Sequence, residues 1–421
     1  MAKKKKVEKP RPEFTKRQLS RWQQQKKRQR LIQGIGICIV VVVLGLVGVG
    51  WYVNQYQPLH QAVIKVNDTK FDMNYYIKML RVYGGGQSSY YMYGIVDGVV
   101  KNIEQNELVR QGALGLGVSV SSAEVEEKLK SHDPPLSDDY RDVVRVELLA
   151  DRLLEEYFDQ EVPVSAEQRH MMAMLLEDGS QATEVRAGLD SGEDFGNLAG
   201  ELSLESLSKS EGGDLGWHPE DALAELLATS VPGDYAFNSG VGVLSQPVYD
   251  ETVTKEVGYW LVEVLERDDD AGTAHIQAIL LGSEQQAQAV RVRLEAGEDF
   301  ATLADELSQY GASGSGGDLG WVANGMLGSA VDDFIFSAEL ETLSEPIRDD
   351  TVTTTGGCWL LKVLDEDGNR ELSEEDRDLL KTAALNDWVA SLWEDPENEI
   401  DDSYLDDEKK LWAVEKAVGG W

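Results

Sequence analysis

The sequence predicts an α+β protein. In chain order it should hold an N-terminal membrane-spanning helix, a helical module, two tandem helix–strand units built on antiparallel sheets, and a closing helix. Three observations lead there. A twelve-residue stretch, GEDFGNLAGELS at 192–203, returns as GEDFATLADELS at 297–308, with nine of twelve positions matching, and each copy is followed by GGDLGW, at 212–217 and 316–321. The copies stand 105 and 104 residues apart, a spacing that fits repetition of a whole domain and is too long for a solenoid. Finally, residues 31–53 carry no charge over twenty-three positions, enough for a helix to cross about 30 Å of hydrocarbon.

Charge sets the orientation and excludes some functions. Residues 1–30 hold thirteen Lys/Arg and two Glu, a net +11, against −37 for the whole chain, so residues 31–421 carry −48. Such an acidic body repels nucleic acid and anionic membrane surfaces, and no nucleic-acid partner is expected. Positive charge before the apolar run, with Trp51, Tyr52 and Tyr56 after it, predicts a single-pass anchor at 31–53. Residues 1–30 would then be cytoplasmic and the bulk of the chain extracytoplasmic. Ile37 before Cys38 excludes a lipobox, and no A-x-A-like cleavage site follows. Two cysteines, Cys38 and Cys358, make no disulfide framework.

Residues 60–162 are predicted to be mostly helical. AVIKVNDTKF gives a hairpin turning at Asn67-Asp68, and Asp72 caps the helix that follows. The Gly/Tyr stretch 83–94 reads as a loop. Residues 95–114 have apolar residues at helical spacing up to Gly115, and Ser121 with Glu124 forms a capping box. Pro134-Pro135 breaks the chain before a further helix over 139–160. Each repeat, 165–267 and 272–366, opens with an apolar strand (RHMMAMLL or AHIQAILL) and continues through two helices and the GGDLGW turn-strand. It then closes with two strands, the last being GYWLVEV or GCWLLKV. Over 370–421, Ser373 and Asp376 start a helix with the stripe Leu380, Ala384, Trp388 and Leu392, and a short helix over 406–418 ends the chain.

The order G-x-x-F-x-x-L-A-x-x-x-S, GGDLGW, S-x-P-[VI] and G-x-x-[LIV]-[LIV]-x-V resembles the parvulins, the PpiC-type rotamase family of peptidyl-prolyl cis/trans isomerases. The layout as a whole is similar to foldases of the SurA and PrsA kind. That resemblance implies a chaperone-like module made of 60–162 together with 370–421, and unfolded or nascent secreted polypeptides as partners. It implies no cofactor and no metal, since turning an X-Pro bond over its barrier of about 18–20 kcal/mol needs an apolar seat and a few polar groups. The family's paired histidines fall on Ala173 and Trp260 in the first repeat and on Ala278 and Trp359 in the second. Its Cys/Asp position falls on Glu205 and Tyr310. The proline pocket maps onto Leu319, Met326 and Val331 in the second repeat and Leu215 in the first. His170 and His275 lie three residues before the family position, on the opposite strand face. No catalytic set is therefore intact, and a foldase with degenerate isomerase sites is expected. The alternative is a scaffolding membrane protein that uses its repeats as docking modules. H-E-x-x-H, C-x-x-C, P-loop and G-x-S-x-G motifs are absent from the sequence.

Overall fold

A computed structural model describes residues 42–311 and 315–419, and the chain divides into two compact units, 1–152 with 388–421, and 153–387. The basic segment and residues 31–41 of the apolar run at 31–53 lie outside the described residues. From residue 42 the chain is helical with Val42, Leu44 and Leu46 exposed, and among the described residues no helix is long and apolar enough to cross a membrane.

In the first unit, β1 (Ala62–Val66) and β2 (Thr69–Asp72) form the expected hairpin, with Asn67 in the left-handed region at φ 54°. The two-residue strand Ile400–Asp401 adds to its free edge. Asp72 caps α1 (Met73–Gly84) by accepting the Tyr75 N–H. The expected loop at 83–94 is short, because Ser88 caps the Tyr91 N–H and starts α2 (Ser89–Gly115), so Tyr90, Tyr91 and Tyr93 stand on helix. The capping box of Ser121 and Glu124 opens α3 (Ser122–Ser131), and α4 (Arg141–Arg152) follows the proline break. The C-terminal helix Asp407–Val418 buries Ala413, Val414 and Ala417 among Tyr76, Leu80 and Ile103 of α1 and α2. At Gly112 of α2, an added Cβ would lie 2.7 Å from Trp388 Cζ2 and 3.1 Å from Leu392, so this glycine makes room for the end of the helix Glu374–Glu394.

The second unit holds two four-stranded antiparallel sheets. Lobe 1 has the order β4-β3-β10-β5, from β3 (Ser165–Leu176), β4 (Asp214–His218), β5 (Val248–Lys255) and β10 (Thr354–Glu371). Lobe 2 has the order β8-β7-β6-β9, from β6 (Gly258–Asp268), β7 (Thr273–Leu281), β8 (Asp318–Ala323) and β9 (Ile347–Asp349). The expectation that each repeat closes on its own last strand is corrected here. Trp359 pairs with Leu175 of the first repeat, and Trp260 pairs with Leu280 of the second. The closing strands have changed places.

Sequence explains why the exchange is tolerated. GYWLVEV and GCWLLKV present the same alternation, so each fits either slot. Only Glu256 and Val257 join β5 to β6, and a β-branched residue opposes the positive φ of a two-residue hairpin. Val257 is instead fully buried in the lobe 2 core with Leu261 and Ile279. Each sheet carries α5 (Gly179–Asp190) and α6 (Phe195–Leu202), or α7 (Glu284–Glu295) and α8 (Phe300–Leu307), on one face. Glu177 of lobe 1 ties the lobes together. It accepts hydrogen bonds from Tyr259 Oη (3.1 Å), Arg348 Nη1 (3.1 Å) and the Glu284 N–H (2.8 Å).

Candidate functional site

The face of each sheet away from these helices has a tryptophan at its centre. Trp359 in lobe 1 is 0 % exposed and Trp260 in lobe 2 is 1 % exposed. Each indole N–H donates to a buried aspartate on the neighbouring strand. Trp359 Nε1 reaches Asp250 Oδ2 at 3.0 Å, and Trp260 Nε1 reaches Asp349 Oδ2 at 3.1 Å. Because of the exchange, every pair takes its tryptophan from one repeat and its aspartate from the other. Asp250 also accepts from the Thr229 hydroxyl and from the Thr252 hydroxyl and amide; Asp349 accepts from the Thr351 hydroxyl and amide. Burial alone would raise both carboxyls, but these bonds outweigh it and hold them below the ordinary carboxylate range. The sequence reading missed both aspartates; the shared Asp-x-Thr-Val-Thr before each closing strand was the available signal.

Around Trp260 the structure gathers Ala278, Leu319 and Val331, with Tyr310 edge-on to the indole at 5.0 Å. Leu319 and Val331 thus share a cluster, while Met326 does not join it: its side chain is 67 % exposed and its Sδ accepts the Ala323 N–H at 3.4 Å. In lobe 1, Ala173 and Leu215 pack with Trp359, Leu223 and Ala236. Glu205 caps the short helix Ser206–Ser210 through the N–H groups of Leu207 and Ser208. The N–H groups of Ala173 and Ala278 donate to Gly213 and Gly317. Those glycines have φ of 81° and 76°, and an added Cβ would sit 2.7 Å from Phe195 Cε1 or 2.8 Å from Ala304 Cβ. The second glycine of each GGDLGW is therefore what lets the turn press against the helix.

Residues 176–266 match a family model described as a PPIC-type PPIASE domain, and residues 259–367 match a second model of the same description. The two lobes belong to the PPIC-type PPIase family. Over 229 residues the chain is 29 % identical to "Chaperone SurA" of Chromohalobacter salexigens, covering 48 % of this chain and 50 % of that protein. Over 138 residues it is 30 % identical to "Foldase protein PrsA" of a Geobacillus species, covering 31 % of this chain and 48 % of the relative. The chain spans about half the length of these curated relatives. Both parvulin matches include residues 259–266, within the strand that continues the first repeat in sequence and lies in the sheet of the second.

Two histidines occupy matching positions in the two lobes, His170 midway along β3 and His275 near the start of β7. His170 Nε2 lies 2.7 Å from Asp214 Oδ1 with its ring beside Trp217, and His275 Nε2 lies 2.8 Å from Asp318 Oδ1 with its ring beside Trp321. The same carboxylate oxygens accept the N–H groups of Gly216 and Gly320, so they also pin the GGDLGW turn. Between the lobes is a cavity of about 320 Å³ lined in part by Glu177, Tyr249, Lys255, Gln286 and Cys358. Lys255 is buried there and donates to the Gly356 carbonyl; burial pushes its ammonium pKa down and the Cys358 thiol up.

Proposed function

We propose that this chain is an extracytoplasmic foldase or chaperone, held at the membrane by residues 31–53, that binds unfolded secreted or envelope polypeptides without prolyl isomerase chemistry. The observation that carries this reading is the tryptophan–aspartate pair at the centre of each parvulin sheet. A parvulin seats proline in an apolar pocket and steadies the twisted amide with polar groups. Here the family histidine positions hold Ala173, Ala278, Trp260 and Trp359. The indoles fill the sheet centre, and their aspartates already accept bonds from tryptophan and threonine. What is left for a client is surface: Tyr310, Trp321 and Met326 on lobe 2, and Tyr90, Tyr91 and Tyr93 on α2, all exposed.

The test is client aggregation. The full chain in detergent should slow light scattering by a chemically unfolded protein when present at comparable concentration, and it should do so for unrelated clients. Binding to one fixed membrane partner, with no slowing of any client, would instead identify a scaffold.

A further inference from the structure

The two parvulin lobes differ at one repeated aromatic position, and the difference suggests what part of a client lobe 2 recognises. In lobe 1, β10 continues beyond the pairing of Asp365 with His170 to Glu371 opposite Ser165, carrying Arg370 opposite Ala166. The Arg370 guanidinium lies 4.5 Å over the ring of Trp217, which is half-buried. In lobe 2 the corresponding pairing is Glu266 with His275, but β6 ends at Asp268 opposite Thr273 and the chain turns straight back. The strand that would bring a counterpart of Arg370 has already reversed. Trp321, beside His275, is left 51 % exposed.

The surroundings favour a cation. The end of β6 and the turn that replaces the strand extension hold Asp268, Asp269 and Asp270, and Asp268 pairs with Thr273, two residues along β7 from His275, the partner of Trp321. Asp269 is engaged by Arg267 and Asp268 by the Ala271 N–H, so part of this charge is balanced locally. The chain as a whole nevertheless carries −37. A guanidinium is planar and weakly hydrated, and it stacks on indole with a gain beyond simple contact.

We propose that Trp321 is a docking platform for an arginine side chain of an extended, unfolded polypeptide, which takes the position Arg370 occupies over Trp217. This rests on the client-binding reading above and specifies one chemical preference within it.

The experiment uses the full chain and two fluorescent, unstructured Gly/Ser peptides of equal length. One carries several arginines and the other carries citrulline at the same positions. Anisotropy is read at about 0.15 M salt, where screening over ~8 Å suppresses general attraction to the acidic surface. Trp321→Ala should weaken the arginine peptide about two- to five-fold and leave the citrulline peptide unmoved. Trp321→Phe, which keeps an aromatic face, should retain most of the affinity. Arg370→Ala, which uncovers Trp217, should tighten the arginine peptide about two-fold. Equal weakening of both peptides by Trp321→Ala, or no weakening of either, overturns the proposal. If the alanine variant does not fold, the other two variants decide the question. An unmoved Arg370→Ala or a Trp321→Phe that loses all discrimination overturns the proposal, and the opposite results support it. Aggregation of an arginine-free client tests the wider reading separately, so a failure here with success there removes only this inference.

Discussion

Asp349 makes three hydrogen bonds that define the centre of lobe 2: one from the Trp260 indole and two from Thr351. Asp349→Ala would leave a buried indole N–H without an acceptor, at a cost of about 1–3 kcal/mol. The urea midpoint should fall accordingly, and Asp349→Asn, which keeps an acceptor, should lose less. Both aspartates are held below their unfolded pKa of about 3.9, so their contribution is complete above that value and is lost as pH falls through the folded pKa. Stability should therefore drop in acid, and more shallowly for Asp349→Asn. His218 has the opposite sign. Its Nδ1 faces Asp376 Oδ1 at 2.6 Å and its Nε2 faces the Leu215 carbonyl at 2.5 Å, so only the doubly protonated ring donates to both. Burial would lower its pKa, but Asp376 and Leu215, helped by nearby Glu375, raise it. Its stabilisation is complete below about pH 6.5 and is lost as pH rises through the raised value. The urea midpoint should decline from pH 6 toward alkaline pH (~9) in the native chain and stay flatter in His218→Gln. At this scale the tryptophans were legible from the spacing of the repeats. Their aspartates were not, because nothing in one strand's sequence says which carboxylate an indole on another strand will meet.

The strand exchange makes a prediction that a linear reading of the repeats reverses. Leu361 belongs to the second repeat by sequence, yet it is fully buried in lobe 1 with Met171 and Ala173. Leu361→Ala should cost about 2–5 kcal/mol, felt as lost hydrogen-exchange protection in β3 more than in β7. Val262→Ala, in the lobe 2 core, should show the reverse. A larger effect of Leu361→Ala on β7 would contradict the exchange. Element type was well marked in the sequence: Asp72 and Ser121 each cap the helix expected after them, and the helices expected on the GEDF blocks form, capped by Asp194 and Asp299. Pairing was hidden, because two closing strands of like pattern are interchangeable until Val257 is seen to sit in the lobe 2 core. The loop expected at 83–94 was overestimated for a local reason. Its glycines and tyrosines read as loop, whereas Ser88 caps the Tyr91 N–H and starts a helix at Ser89.

Taken whole, the chain joins two parvulin lobes to a unit in which the C-terminal helix packs on the N-terminal helices. The repeats, the acidic charge, the closing helix and the tryptophans at the sheet centres were visible in the sequence, while the strand exchange and the aspartate partner of each indole were not. A protein built this way should hold clients and leave prolyl bonds to isomerise at their own pace, over tens to hundreds of seconds. The most direct test is a protease-free X-Pro isomerisation assay on the full chain, with several residues tried before the proline and Met326→Ala as a control. No acceleration from a preparation that still slows client aggregation is the predicted result. Acceleration that falls with Met326→Ala would contradict it, placing a working proline site on lobe 2 despite the buried Trp260.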